Sequence, residues 1–178
     1  MKKNMKKKEE ILQQLKNYID FENSETLSWL HGLADDAFFH KTDGGYVGSI
    51  LIYHQLTENL LVNLIEKSNL LIQTFIHPKQ YPDIPQKEEG EKVFSYWLSK
   101  LKQHTIEFPE KGQIVQLSAT INKIRNDFAH RISISDNIYN VEIQAQNCKN
   151  NFELLFKKWV KASKFFYNSF DDLYNEMK

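Results

Sequence analysis

Glycine and proline are scarce in this chain and come in clusters, and that distribution steers it toward helices. Six Gly and four Pro occur in 178 residues, with Gly44, Gly45 and Gly48 together and Pro78, Pro82 and Pro85 together. Away from these breaks, apolar residues recur with the 3.6-residue period of a helix. The clearest case is Ile114, Leu117, Ile121, Ile124 and Phe128, at offsets 0, 3, 7, 10 and 14. The pattern predicts a helix over 112–130.

The same logic predicts the other elements. A first helix over 8–19 carries Ile11, Leu12, Leu15 and Ile19 as a stripe. A second covers 25–39 behind a capping-type Ser24. A central helix begins near Thr42 or Asp43 and reaches about residue 67. Ile50, Leu51, Tyr53, Leu56, Leu60, Leu61, Leu64 and Ile65 line its broad apolar face. The glycines at its start would let another element approach closely. Residues 69–76 either prolong this helix or turn a corner. Proline and charge make 77–91 a long loop. Helix resumes in "KVFSYWLSKL", with Phe94, Trp97, Leu98 and Leu101 on one side. "RISISDNIYNVEI" reads as loop, and a last helix over 145–174 buries Phe152, Leu155, Phe156, Trp159, Val160 and Phe166. The expected fold is all-α: an up-and-down helical bundle in a single domain over 1–178, with 1–7 as a flexible basic tail.

Composition narrows the function classes. At 41% hydrophobic and 26% charged residues, the chain can bury one core and keep an ordinary charged surface. Formal net charge is zero, so no overall field draws the molecule to nucleic acid or acidic lipid, and any such contact must be a local patch. The basic run "MKKNMKKKEE" reads chiefly as a solvated tail, with polyanion holding as the alternative. Its lysines are not followed by an apolar segment, so it does not look like a signal peptide. The apolar stretch 50–76 is too interrupted by polar residues to span a membrane. The expected location is cytoplasmic, with no membrane partner.

One cysteine, Cys148, rules out an internal disulfide and a multi-cysteine zinc site, and reads as a small buried apolar residue. His31 and Asp35 are four apart in "HGLADDAFFH" and could share a helix face, but no third ligand has compatible spacing. No metal and no cofactor are expected. His54 and Glu58, also four apart, read as a polar seam inside the bundle. His77 and His104 read as surface residues. Phe165, Phe166 and Phe170 read as core or as part of a dimer interface.

The most informative residues are the arginines. The chain writes 21 of its 23 basic residues as lysine, and its two arginines, Arg125 and Arg131, bracket "NDFAH". Cations in the last turn of a helix interact favourably with its negative end, which by itself would account for Arg125, His130 and Arg131. It does not explain the change from lysine to arginine. Arginine offers a planar fork of donors that fits phosphate or carboxylate and holds its proton at cellular pH. On a regular helix Asn126 and His130 share a face, whereas Arg125 and His130 point about 140° apart. They meet at one ligand only if the helix loosens around Ala129 or a second copy supplies the other half.

"IRNDFAH", at the end of a core helix in an all-helical chain of this length, resembles the signature of the HEPN superfamily. The stretch "TDGGYVGSILIYHQLTENLLVNLI" resembles the mannitol-repressor-like branch of that superfamily. The likeness spans roughly residues 25–175. It implies a small helical bundle, usually a homodimer, that cuts RNA without a metal by attack of the ribose 2′-hydroxyl on the adjacent phosphate. Carried onto this sequence, Arg125, Asn126 and His130 would be the catalytic residues, with Arg131 as a substrate-binding residue. Such a protein would act as a toxin or phage-defence effector, with RNA as substrate and a cognate antitoxin or regulatory protein as partner. The competing expectation is a non-catalytic binding or regulatory module, such as a transcriptional regulator.

Overall fold

The computed structural model describes residues 24–75, 93–131 and 141–176. The helix expected over 8–19, the basic tail and the loop expected over 77–91 lie outside these residues. The described chain is an all-α bundle of five helices. They are α1 (Ser24–Phe39), α2 (Asp43–Phe75), α3 (Phe94–His104), α4 (Lys111–Arg131) and α5 (Val141–Glu176). Among the described residues there is no strand, and no helix is long and apolar enough to cross a membrane.

The second helix is the axis of the bundle, and α1, α3, α4 and α5 all pack against it. Its buried residues explain why. Tyr46, Ile50, Tyr53, Thr57, Leu60, Leu64, Lys67 and Leu71 are spaced alternately four and three apart, the seam spacing of packed helices. Leu56, Leu61 and Ile65 widen that seam into the broad face the sequence suggested. Leu51 departs from expectation: it is 48% exposed, because it sits one step past Ile50 and beyond the last neighbouring helix. The helix does not stop near residue 67 but continues to Phe75, its seam extended by Ser68 and Leu71.

The turn between α1 and α2 is set by two local devices. Lys41 takes a left-handed backbone (φ 50°) that ends α1. The Thr42 hydroxyl then accepts the Gly45 N–H at 3.0 Å, capping the start of α2. A Cβ on Gly45 would sit 2.4 Å from the Ala37 carbonyl oxygen, so only glycine lets the helices cross this closely.

The fifth helix begins at Val141, inside the stretch expected to be loop; residues 132–140 lie outside the described part. Its buried seam is Ala145, Cys148, Phe152, Leu155, Trp159, Ala162, Phe166 and Phe170. This seam is narrow and includes three small residues. Phe156 and Val160 fall one step outside it and are 37% and 47% exposed, contrary to their expected burial. Phe166 and Phe170 are sealed in the chain's own core, which removes them as dimer-interface residues; Phe165 packs against that core partly buried.

The connection from α3 to α4 is clasped by Lys111. Its Nζ donates to the carbonyl oxygens of Thr105 and Ile106 and to Glu107. Ser68 on α2 accepts the Ile106 N–H at 2.9 Å, fixing this loop to the axis of the bundle. Glu110, with φ 70°, closes the turn and receives Lys158 and Lys161 from α5. These contacts set the position of α4, which carries the arginine–histidine motif.

Candidate active site

α4 buries Ile114, Ile121 and Ile124 against the core, with Leu117 and Phe128 partly buried beside them. From that apolar edge a polar strip fans outward around the helix: Arg125, then Asn122, Asn126 and the backbone position of His130. Arg125 is half-buried and its Nη1 donates to Asn126 Oδ1 at 3.0 Å. Asp127 is exposed. His130 and Arg131 form the last turn of α4; their side chains lie outside the described residues.

The helix is continuous to Arg131 and does not loosen around Ala129. Arg125 and His130 of one chain therefore leave α4 about 140° apart. Of the two ways in which these residues could meet at one ligand, a loosened helix end is absent from the structure.

Beside Arg125 stands a group that motif reading did not select. His54, half-buried on α2, has Nε2 3.1 Å from Asn122 Oδ1. Its ring lies against Phe94 of α3, with centroids 4.5 Å apart and planes tilted 32°. Burial pushes the imidazole pKa below its usual value; the Asn122 hydrogen bond works against that and the Arg125 charge adds to it. The ring is thus neutral at neutral pH. One turn along α2, Glu58 accepts a hydrogen bond from Trp97, while burial raises its carboxyl pKa. The polar seam read from His54 and Glu58 therefore lies among α2, α3 and α4, next to Arg125. Only a contact across 68 residues links His54 to Asn122, so no local spacing could have found it.

A second polar cluster joins α1, α2 and α5. Asp35 accepts from Tyr53 OH at 2.5 Å and from Lys149, and lies 3.8 Å from His31 Nε2. Burial raises the Asp35 pKa, but the bonds from Lys149 and Tyr53 outweigh it and hold the carboxyl below its ordinary value. The Tyr53 phenol is pushed far up, by burial first and then by Asp35. His31 packs its ring against Phe152 and Phe156. Asp35 is thus engaged by a phenol and an ammonium. Among the described residues no group of three or more His, Cys, Asp or Glu is placed to hold a metal ion. Cys148 is fully buried and its thiol pKa is pushed up to about 12 by burial, which makes it a core residue and a poor nucleophile. His104 is exposed, and His77 lies outside the described residues.

The class defined by fold and site is an all-helical bundle with a half-buried guanidinium, two carboxamides and a neutral imidazole on one flank of its fourth helix. Compared with known proteins, the chain matches no family model, no curated protein and no solved structure.

Proposed function

We propose that the chain is a metal-independent endoribonuclease of HEPN type, acting as a homodimer and serving as a toxin or phage-defence effector. Arg125 neutralises the charge that grows on the phosphate oxygens, a task for a fixed cation with several aligned donors. Asn126 holds the guanidinium in place. His130 takes or gives a proton as the ribose 2′-hydroxyl displaces the 5′-oxygen from phosphorus, and Arg131 takes a flanking phosphate. The supporting observation is the setting of Arg125: half-buried, steered by Asn126 and flanked by an imidazole and a second carboxamide. The unbroken end of α4 supports the dimer, because it leaves Arg125 and His130 at different angles around one helix and a second copy would bring an arginine and a histidine together.

The test is incubation of the purified protein with mixed RNA in EDTA over a range of pH. Expected are fragments ending in cyclic phosphate, none with His130→Ala, and at least 100-fold slower cutting with Arg125→Lys. RNA left intact by the unmodified protein at every pH, or cut equally by His130→Ala, defeats the proposal.

The Arg125–Asn126 bond favours a second reading, in which the pair is a closed structural contact at the rim of a binding module. That module would leave RNA uncut, and Arg125→Ala would abolish its retention of RNA in a gel shift.

A further inference from the structure

Transesterification of RNA needs two proton transfers. The 2′-oxygen gives up its proton as it bonds to phosphorus, and the 5′-oxygen takes one as its bond to phosphorus breaks. Each chain's arginine–histidine motif supplies a single imidazole, and the backbone position of His130 lies about 140° around the unbroken α4 from that of Arg125. The two transfers are efficiently divided between two groups, and a titratable side chain beside Arg125 on the same chain would supply one of them.

We infer that His54 is that group: it takes the 2′-hydroxyl proton at the phosphate held by Arg125, while His130 delivers a proton to the departing 5′-oxygen. The inference rests on the ribonuclease reading above and adds a catalytic residue to it. Three observations carry it. His54 Nε2 lies 3.1 Å from Asn122 Oδ1, and in the tautomer that donates to that oxygen Nδ1 keeps the lone pair that a base requires. Phe94 lies against the ring and fixes its plane. Arg125 follows Asn122, the partner of His54, by one turn of α4, so the guanidinium and the imidazole occupy the same flank of that helix.

The surroundings favour the neutral, proton-accepting form. Burial and Arg125 hold the imidazole pKa down. Among the described residues, charged groups beside this seam include Glu58, one turn along α2 and bonded by Trp97, and Lys100 of α3, which lies 5.9 Å from the Trp97 ring centroid. A base with a lowered pKa is already unprotonated at neutral pH, and on donating its proton onward it returns to that state.

The experiment is the pH profile of single-turnover RNA cleavage in EDTA for the unmodified protein, His54→Gln, Asn122→Asp and His130→Ala. Glutamine retains a donor toward Asn122 but cannot act as a base. His54→Gln is expected to cut about 100-fold more slowly with unchanged KM, and to lose the acidic limb of the profile. In the unmodified protein that limb should have its midpoint below 6.5, the ordinary histidine value. Asn122→Asp places a carboxylate beside the ring and should move the limb up by about one unit. A merely structural histidine would leave both limbs in place. If the unmodified protein cuts and His130→Ala does not, while His54→Gln and Asn122→Asp keep the parent profile, the inference falls and the ribonuclease reading stands. If His54→Gln fails to fold, an unmoved limb in Asn122→Asp is enough to overturn it. If the unmodified protein leaves RNA intact, both fall together.

Discussion

Lys67 is a charge held where hydrocarbon would serve. Its residue is 3% exposed, its Nζ donates to Ser163 Oγ at 3.2 Å, and the ammonium lies 5.0 Å from the Trp159 ring centroid. Loss of hydration pushes its pKa down to about 8 from 10.5. Below pH 8 the folded and unfolded chains both carry the proton, and the full burial penalty is felt. Between about 8 and 10.5 the unfolded chain holds more protons than the folded one, so stability rises with pH through that window. Cys148 opposes this above about pH 9, since its buried thiol keeps a proton that the unfolded thiol loses. Urea unfolding at pH 8 and 9 should therefore show a gain of about 1 kcal/mol, absent from Lys67→Met, which should itself be the more stable protein at pH 7. Tyr53 offers the opposite case. Tyr53→Phe removes the donor to Asp35 and should cost about 1.5–3 kcal/mol, as for a hydrogen bond to a charged group. Nothing in the neighbouring residues gave Lys67 or Tyr53 its polar role, and His54 was legible only as half of a polar seam with Glu58. Their environments come from helices remote in sequence, whereas Arg125 was visible as one of two arginines in a lysine chain.

At the scale of elements, most of the bundle was legible because its helices are long, strongly periodic and separated by few breaks. Errors arose where residue size was taken for burial. On α5 the seam runs through Ala145, Cys148 and Ala162, small residues that allow α2 and α4 to approach, while the larger Phe156 and Val160 lie beside it. Period alone finds the stripe but not its width, which the number of neighbouring helices decides. The glycines at the start of α2 were read as a close crossing, and the structure places that crossing at Gly45. Gly45→Ala drives a Cβ into the Ala37 carbonyl and should destabilise by about 1–3 kcal/mol in thermal or urea unfolding. Gly44→Ala meets nothing within 4 Å and should stabilise by up to about 1 kcal/mol through helix propensity. Thr42→Ala should cost about 1 kcal/mol for its lost cap on the Gly45 N–H. If Gly44→Ala and Gly45→Ala behaved alike, the close crossing at Ala37 would be wrong.

For the whole molecule, a formal net charge of zero means that no general field gathers a polyanion, so under the ribonuclease proposal RNA must be engaged by the site itself. Under the same proposal each active centre would be shared by two copies, one giving the arginine and the other the histidine. The sequence could not decide this point, because a loosened helix and a second copy would serve equally well; α4 is continuous to Arg131, so the proposal rests on the copy. The proposal can be tested by mixing. Neither Arg125→Ala nor His130→Ala should cut RNA alone. If each active centre takes Arg125 from one chain and His130 from the other, a mixed dimer has one centre with both groups and one with neither. With random pairing about half the dimers are mixed, so equal amounts of the two variants should recover about a quarter of the unmodified activity. Recovery should fall on dilution below the dimer dissociation constant, measured in parallel by sedimentation. If both groups served within one chain, no mixture would regain activity, and an inactive mixture of demonstrably exchanged subunits would return the motif to a single helix end.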